Sequence, residues 1–144
     1  MKLKVLLVAA MLASGAAPAF ADQASVSISS KATYEDALAC RQYYAAGADL
    51  ARQLERKPET SADQAAGFQL QAIYARQLRD IWMTHVVHSA GARTAEAIES
   101  DMRRQGDAVI ADGHAALAGD KAAAERGRGR SVRCGKLEVV AKAG

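Results

Sequence analysis

Residues 61–91, with the sequence SADQAAGFQLQAIYARQLRDIWMTHVVHSAG, decide the fold of this chain. From Ala62 to Ser89 there is no proline, and apolar residues recur at spacings of three and four, which predicts a helix of about 28 residues and about 42 Å. Ser61 and Gln64 form a predicted capping box at its start, and Gly91 ends it. The predicted buried stripe consists of Leu70, Tyr74, Leu78, Ile81, His85 and His88.

A long helix is predicted on either side of this segment. The preceding helix runs from about Thr33 to Arg56, and Pro58 stops it. The following helix runs from about Thr94 to Ala118, and Gly119-Asp120 has the pattern of a C′ glycine followed by a new N-cap. Because the connections between the helices are short, we expect successive helices to be antiparallel neighbours.

The two ends of the chain carry weaker signals. Residues 121–126 predict a short fourth helix, whereas the Gly-Arg-Gly-Arg run at 127–130 is too rich in glycine for a stable element. The tail, residues 131–144, has an apolar patch that fits either a strand or a docked extended segment. Residues 22–32 alternate small polar and apolar side chains, and we expect a flexible lead-in there rather than a short strand. Residues 33–144 are predicted to form a single domain.

Cys40 and Cys134 are the only cysteines, and an isolated pair in an oxidising compartment predicts a disulfide. To reach Cys40, the chain after the third helix must return along the first helix over about 25 Å. The sequence therefore predicts an all-α, antiparallel up-down helical bundle. It has three long helices, a short fourth helix or returning C-terminal segment, and one disulfide.

Residues 1–21 have the pattern of a cleaved secretory signal peptide. Lys2 and Lys4 precede an apolar run at 5–13, and Ala19-Phe20-Ala21 supplies a small-x-small cleavage site. The apolar run is about half of the roughly 20 residues that a spanning helix needs, so no transmembrane segment is expected after cleavage. The short positive start is typical of bacteria, which favours the periplasm, with full secretion as the alternative.

The charge of the chain depends strongly on this leader. Removing Lys2 and Lys4 with it lowers the formal net charge from +3 to +1. A nearly neutral exported protein gives no support to a nucleic-acid partner.

Two clusters of side chains are candidate binding residues. His85 and His88 lie three apart on one helical face, a spacing that places two imidazoles on one metal ion; two half-buried histidines near a helix end are the alternative. The arginine segment is a candidate contact for an anionic envelope component or another envelope protein, with a solvated loop as the alternative. It comprises Arg126, Arg128, Arg130 and Arg133.

No set of residues with the composition of a catalytic site emerges from the sequence, and no cofactor is predicted. The pattern favours a non-enzymatic periplasmic interaction protein or envelope-stress accessory protein. The alternative is a periplasmic metal-binding or metal-sensing helical protein that uses His85 and His88. The sequence leaves the oligomeric state open.

Overall fold

The computed structural model describes residues 25–141, which form four helices and a two-stranded sheet. The predicted all-α bundle with one disulfide is confirmed. The predicted signal peptide at residues 1–21 lies outside the described residues. The elements are β1 (Val26–Ile28), α1 (Tyr34–Glu55), α2 (Ala62–Ser89), α3 (Ala95–Leu117), α4 (Lys121–Leu137) and β2 (Glu138–Val140).

The helices begin and end where local sequence signals place them. The side chains of the N-caps Thr33, Ser61, Thr94 and Asp120 each accept a hydrogen bond from the backbone N–H three residues on. Such a cap stabilises a helix by about 1 kcal/mol. Gly91 and Gly119, which follow the ends of α2 and α3, have φ values of 63° and 100°. Glycine adopts this left-handed conformation at no steric cost.

Helix α1 is the central element of the bundle. It packs against α2 along most of its length and also against α3 and α4, while α4 packs against α3. As predicted, α4 returns along α1, and the Cys40–Cys134 disulfide joins the two helices with a Cα–Cα distance of 5.6 Å. The largest fully buried side chains are those of Trp82, Leu78, Val86, Cys40 and Cys134. Within residues 25–141, no helix is both long enough and apolar enough to cross a membrane.

The buried face of α2 is rotated from the predicted stripe. Leu70 is 52% exposed, and His88 is exposed as well. The small side chains of Ala72 and Ala75 face inward instead, because they allow α1 and α2 to approach closely. The residues buried along α2 are Ala72, Ala75, Leu78, Trp82 and Val86.

The prediction that the fourth helix is limited to residues 121–126 and that residues 127–130 form no stable element is wrong, since α4 continues through the Gly-Arg-Gly-Arg run to Leu137. Gly127 is buried within this helix, and Cys134 is fixed by the disulfide. Arg126 and Arg130 are held by ion pairs to α3. These tertiary contacts outweigh the low helix propensity of glycine, which costs about 1 kcal/mol per residue.

The prediction of a flexible lead-in at residues 22–32 is also wrong for the part of it that the structure describes, which begins at residue 25. Val26–Ile28 form strand β1, which pairs antiparallel with β2 so that Ile28 lies opposite Glu138. Neither strand is stable alone, because an isolated two-stranded ribbon is marginal in water. Val26 and Ile28 gain burial by packing against the core. The prediction that the tail at residues 131–144 is a strand or a docked extended segment is only partly right, since residues 131–137 belong to helix α4 and Glu138–Val140 form strand β2.

Candidate functional site

His85 and His88 lie side by side in one surface pocket. It is lined by Ile28 of β1 and by Ile81, Thr84, His85 and His88 of α2. The His85 ring is half-buried and makes an edge contact with the Trp82 ring, with 6.0 Å between centroids. The structure therefore brings the two predicted ligands together at a pocket.

Each imidazole has one nitrogen engaged with a backbone carbonyl. His85 Nε2 lies 3.2 Å from Ala32 O, and His88 Nδ1 lies 2.8 Å from Thr84 O. A ring nitrogen that faces a carbonyl oxygen must carry the proton to form a bond, which leaves the other nitrogen as an acceptor or a metal ligand. Across residues 25–141, no group of three or more His, Cys, Asp or Glu side chains could hold a metal ion. His85 and His88 are thus the only His, Cys, Asp or Glu side chains that line this pocket.

The arginine segment lies on α4 and is largely engaged in ion pairs. Arg126 and Arg130 both contact Asp112 of α3, at 2.7 and 2.5 Å. Arg133 donates two hydrogen bonds of 2.9 Å to the carboxylate of Asp36 on α1. The hydrogen bonds from Arg133 lower the pKa of Asp36 to about 2, and those from Arg126 lower the pKa of Asp112.

These pairs change what the arginine segment offers to a partner. Three of its four guanidinium groups tie α4 to α1 and α3, which is a structural role. Arg128 is exposed, and no ion pair within residues 25–141 involves it. The segment therefore presents one unpaired cation rather than a cluster of four.

A cluster formed by the half-buried carboxylate of Glu138 and two aromatic side chains lies where β2 meets α1 and α2, and the sequence did not predict it. Trp82 Nε1 donates a 2.8 Å hydrogen bond to Glu138 Oε1, and Tyr44 is hydrogen-bonded to the same carboxylate. Burial raises the pKa of Glu138, whereas its two hydrogen bonds lower that pKa. The pKa of Tyr44 is raised, first by burial and then by the charge of Glu138.

This cluster has no cationic partner among the described residues, because no Lys, Arg or His forms an ion pair with Glu138. The carboxylate instead links the C-terminal strand to the tryptophan of the core. The sequence signal was a single acid next to the apolar patch of Leu137 and Val139. It could be interpreted only once β2 had been placed beside α2.

A half-buried cationic group is found at Arg41 on α1. Its Nη1 donates to Gln42 Oε1, while its Nε is buried and has no acceptor within residues 25–141. Burial lowers the pKa of Arg41, and the nearby charge of Arg79 on α2 lowers it further. Arg79 is itself paired with Asp80, at 2.7 Å.

No protein-family model matches this chain, and no curated protein and no solved structure matches it significantly. Its function is therefore inferred from the contacts of its own residues.

Proposed function

We propose that this chain is an exported, non-enzymatic helical module of the bacterial envelope, which acts in the periplasm by binding another envelope component. The observation that carries the proposal is the Cys40–Cys134 disulfide, buried between α1 and α4. Disulfides persist in oxidising compartments and are rare in the cytosol. The predicted signal peptide at residues 1–21 supports the same compartment.

The outer face of α2, defined here as Ala66, Leu70 and Ile73, supports a binding role. These residues follow one another at spacings of four and three on the side of α2 that faces away from α1. Leu70 is 52% exposed and Ile73 is 45% exposed. Apolar side chains at spacings of three and four are the pattern by which a helix contacts a partner groove, and this spacing supports the outer face of α2 as the contact surface.

Export is tested on protein produced with its leader in a bacterial host. We expect the intact mass of the periplasmic protein to correspond to residues 22–144 less two hydrogens, because cleavage follows Ala21 and the two thiols are oxidised. Retention of Met1 together with two alkylatable thiols would refute the proposed compartment. A Cys134→Ser variant is the control for thiol counting.

Binding is tested with a photocrosslinking residue at Leu70 and, as a matched control, at the exposed Asp107 on α3. We expect an adduct of defined mass from Leu70 and none from Asp107. The adduct should disappear when Ile73 is replaced by Asp, because a charge on the outer face of α2 opposes apolar contact. Equal adducts from both positions would exclude this face as the contact surface.

A second function, metal binding at His85 and His88, is favoured by one specific observation. Both rings share a pocket, and each has a backbone carbonyl that holds one nitrogen and leaves the other available. This arrangement is common around histidine ligands of metal ions, where the second nitrogen donates to a carbonyl or carboxylate. Cu(II), Ni(II) and Zn(II) are the ions that suit imidazole.

Titration with each ion separates this function from the first. We expect saturable binding by wild type that is lost in a His85→Ala/His88→Ala double variant. A His114→Ala variant is the matched control, because His114 is exposed on another helix. Weak binding of the same strength in all three proteins would remove the metal hypothesis and leave the binding module intact.

A further inference from the structure

The two strands are the only described elements that lie wholly outside the loop closed by the disulfide. Strand β1 precedes Cys40 and β2 follows Cys134, so both can separate from the bundle while the disulfide stays intact. We call β1 and β2 together the terminal strand pair. Each strand has three paired residues, and an isolated two-stranded ribbon is marginal in water. The attachment of the pair therefore depends on the side chains that it places against the helices.

Glu138 is the only ionisable side chain in the terminal strand pair. Val26 and Ile28 attach the pair by packing against the hydrophobic core. The half-buried carboxylate of Glu138 attaches it by accepting hydrogen bonds from Trp82, at 2.8 Å, and from Tyr44. Trp82 is completely buried, so the carboxylate reaches the edge of the core, where water solvates it incompletely.

No cation balances the charge of this carboxylate within residues 25–141, because no ion pair involves Glu138. Strand β1 places Ile28 opposite it, and Lys136, the nearest basic residue of α4 in sequence, is exposed. The groups that face the carboxylate from α1 and α2 are aromatic and uncharged at neutral pH: Tyr43, Tyr44, Tyr74 and Trp82. Burial of a charge without a counter-charge is unfavourable, and two hydrogen bonds offset only part of that cost.

Ionisation of Glu138 therefore opposes the attachment of the terminal strand pair. Burial raises the pKa of Glu138, and the hydrogen bonds from Trp82 and Tyr44 lower it by less. In a detached strand the carboxylate lies in water and has the ordinary pKa of a glutamate. By linkage, the attachment is strongest below the ordinary glutamate range and weakens as pH rises through the raised pKa.

Detachment of the terminal strand pair also changes the pocket of His85 and His88. Ile28 of β1 lines this pocket, and the other lining residues all belong to α2. Separation of β1 therefore removes the lining residue that α2 does not provide. The state of Glu138 is in this way connected to the shape of a pocket formed by a different pair of side chains.

We propose that Glu138 is a pH-sensitive latch: when protonated it holds the terminal strand pair against Trp82 and keeps the Ile28 wall of the pocket in place, and when ionised it loosens both. The inference adds regulation to the pocket of His85 and His88, and it rests on the proposed function only for what that pocket binds. The latch itself acts without a ligand.

The test is hydrogen exchange by NMR between pH 4 and pH 7 on the oxidised protein of residues 22–144, with each rate divided by the intrinsic rate of its amide. The Ser29 amide, which donates to Leu137 O at 2.8 Å, reports on the terminal strand pair. The amide of Leu78, a fully buried residue of α2, reports on unfolding of the whole chain. We expect Ser29 to exchange through a smaller opening free energy than Leu78. Its opening constant should increase with pH, by about tenfold for each unit by which attachment raises the pKa of Glu138.

Glu138→Gln keeps the shape of the side chain without its charge and should abolish this increase. Glu125→Gln is the matched control, because Glu125 is an exposed acid on α4, and it should show the same increase as wild type. His85 contacts the Trp82 ring, so the increase supports the latch only where Glu138→Gln removes it. If Glu138→Gln fails to fold, Tyr44→Phe replaces it: loss of a donor to the ionised carboxylate should enlarge the increase, and an unchanged increase refutes the latch.

An opening constant of Ser29 that stays the same between pH 4 and pH 7, or that changes equally in wild type and Glu138→Gln, overturns the proposal. Equal opening free energies for Ser29 and Leu78 also overturn it, because the terminal strand pair would then detach only when the whole chain unfolds. No metal ion or partner is present in this measurement, so its failure leaves the proposed function untouched.

Discussion

The close approach of α1 and α3 at Gly106 predicts opposite outcomes for one substitution at two positions of the same helix. A Cβ atom at Gly106 would lie 2.7 Å from Gln42 Nε2, whereas a Cβ at Gly113 would meet nothing within 4 Å. At Gly113, replacement by alanine should stabilise the protein by about 0.5–1 kcal/mol, because alanine restricts the unfolded chain and favours the helix.

At Gly106, the stability gained by replacing glycine with alanine is opposed by the loss of the hydrogen bonds of Gln42. The Gln42 side chain can move away from a new methyl group, so the cost comes from its hydrogen bonds rather than from overlap. Gln42 is buried, donates to Met102 O and accepts from Arg41 Nη1. Losing partners for these buried groups costs about 2–4 kcal/mol in total. We therefore expect Gly106→Ala to be about 1–3 kcal/mol less stable than wild type.

Urea unfolding monitored by circular dichroism measures both variants, with Gly113→Ala as the matched control. In a Gln42→Ala background the obstacle is absent, and Gly106→Ala should become as favourable as Gly113→Ala. If Gly106→Ala stabilises the wild-type protein as much as Gly113→Ala does, then α3 does not approach Gln42 as described.

Three further outcomes follow from the ionisable groups and the disulfide. The pKa of Glu138 is raised, so its ionisation lowers the free energy of unfolding as pH rises above the usual glutamate range. In urea unfolding, the stability of Glu138→Gln minus that of wild type should therefore be larger at pH 7 than at pH 4. An equal difference at both pH values would contradict this. Arg133→Gln should raise the pKa of Asp36 from about 2, because it removes the hydrogen bonds from the guanidinium group. The variant should then lose stability at a higher pH than wild type on acidification. An unchanged Asp36 titration by NMR would refute the Arg133–Asp36 ion pair. Reduction of Cys40–Cys134, which are 94 residues apart, should destabilise the protein by about 4–5 kcal/mol, and a loss below about 1 kcal/mol would show that the chain-entropy account fails here.

The elements that could be predicted from the sequence are those with local signals at both ends. Ser61 with Gln64 and Gly91 bracket α2, and the observed helix begins and ends at the predicted residues. The arginine and glycine run in α4 could not be predicted as helix, because its stability comes from Asp112 on another helix and from the disulfide. Local propensity cannot reveal such distant contacts.

Among the candidate sites, too, those whose residues lie close in sequence could be predicted, and those that depend on distant contacts could not. His85 and His88 share a pocket because their spacing on one helix brings them together, and this is visible in the sequence. The hydrogen-bond partners of Glu138 and the charge that lowers the pKa of Arg41 come from other elements of the fold. The missing acceptor of Arg41 and the contact between Glu138 and Trp82 become apparent only when those elements are packed.

The pairing of β1 with β2 brings both ends of the described chain together, with Ala141 N donating to Ser25 O at 3.0 Å. A pulling force on the two ends would first peel this strand pair apart bond by bond, because the strands are antiparallel with their free ends adjacent. The load would then pass through the sulfur–sulfur bond from α1 to α4, since Cys40 and Cys134 bridge the chain. Helices α2 and α3 lie outside that mechanical path. While the disulfide is intact, the described segments outside it, residues 25–40 and 134–141, could extend to no more than about 80 Å, and most of the bundle would stay folded under tension.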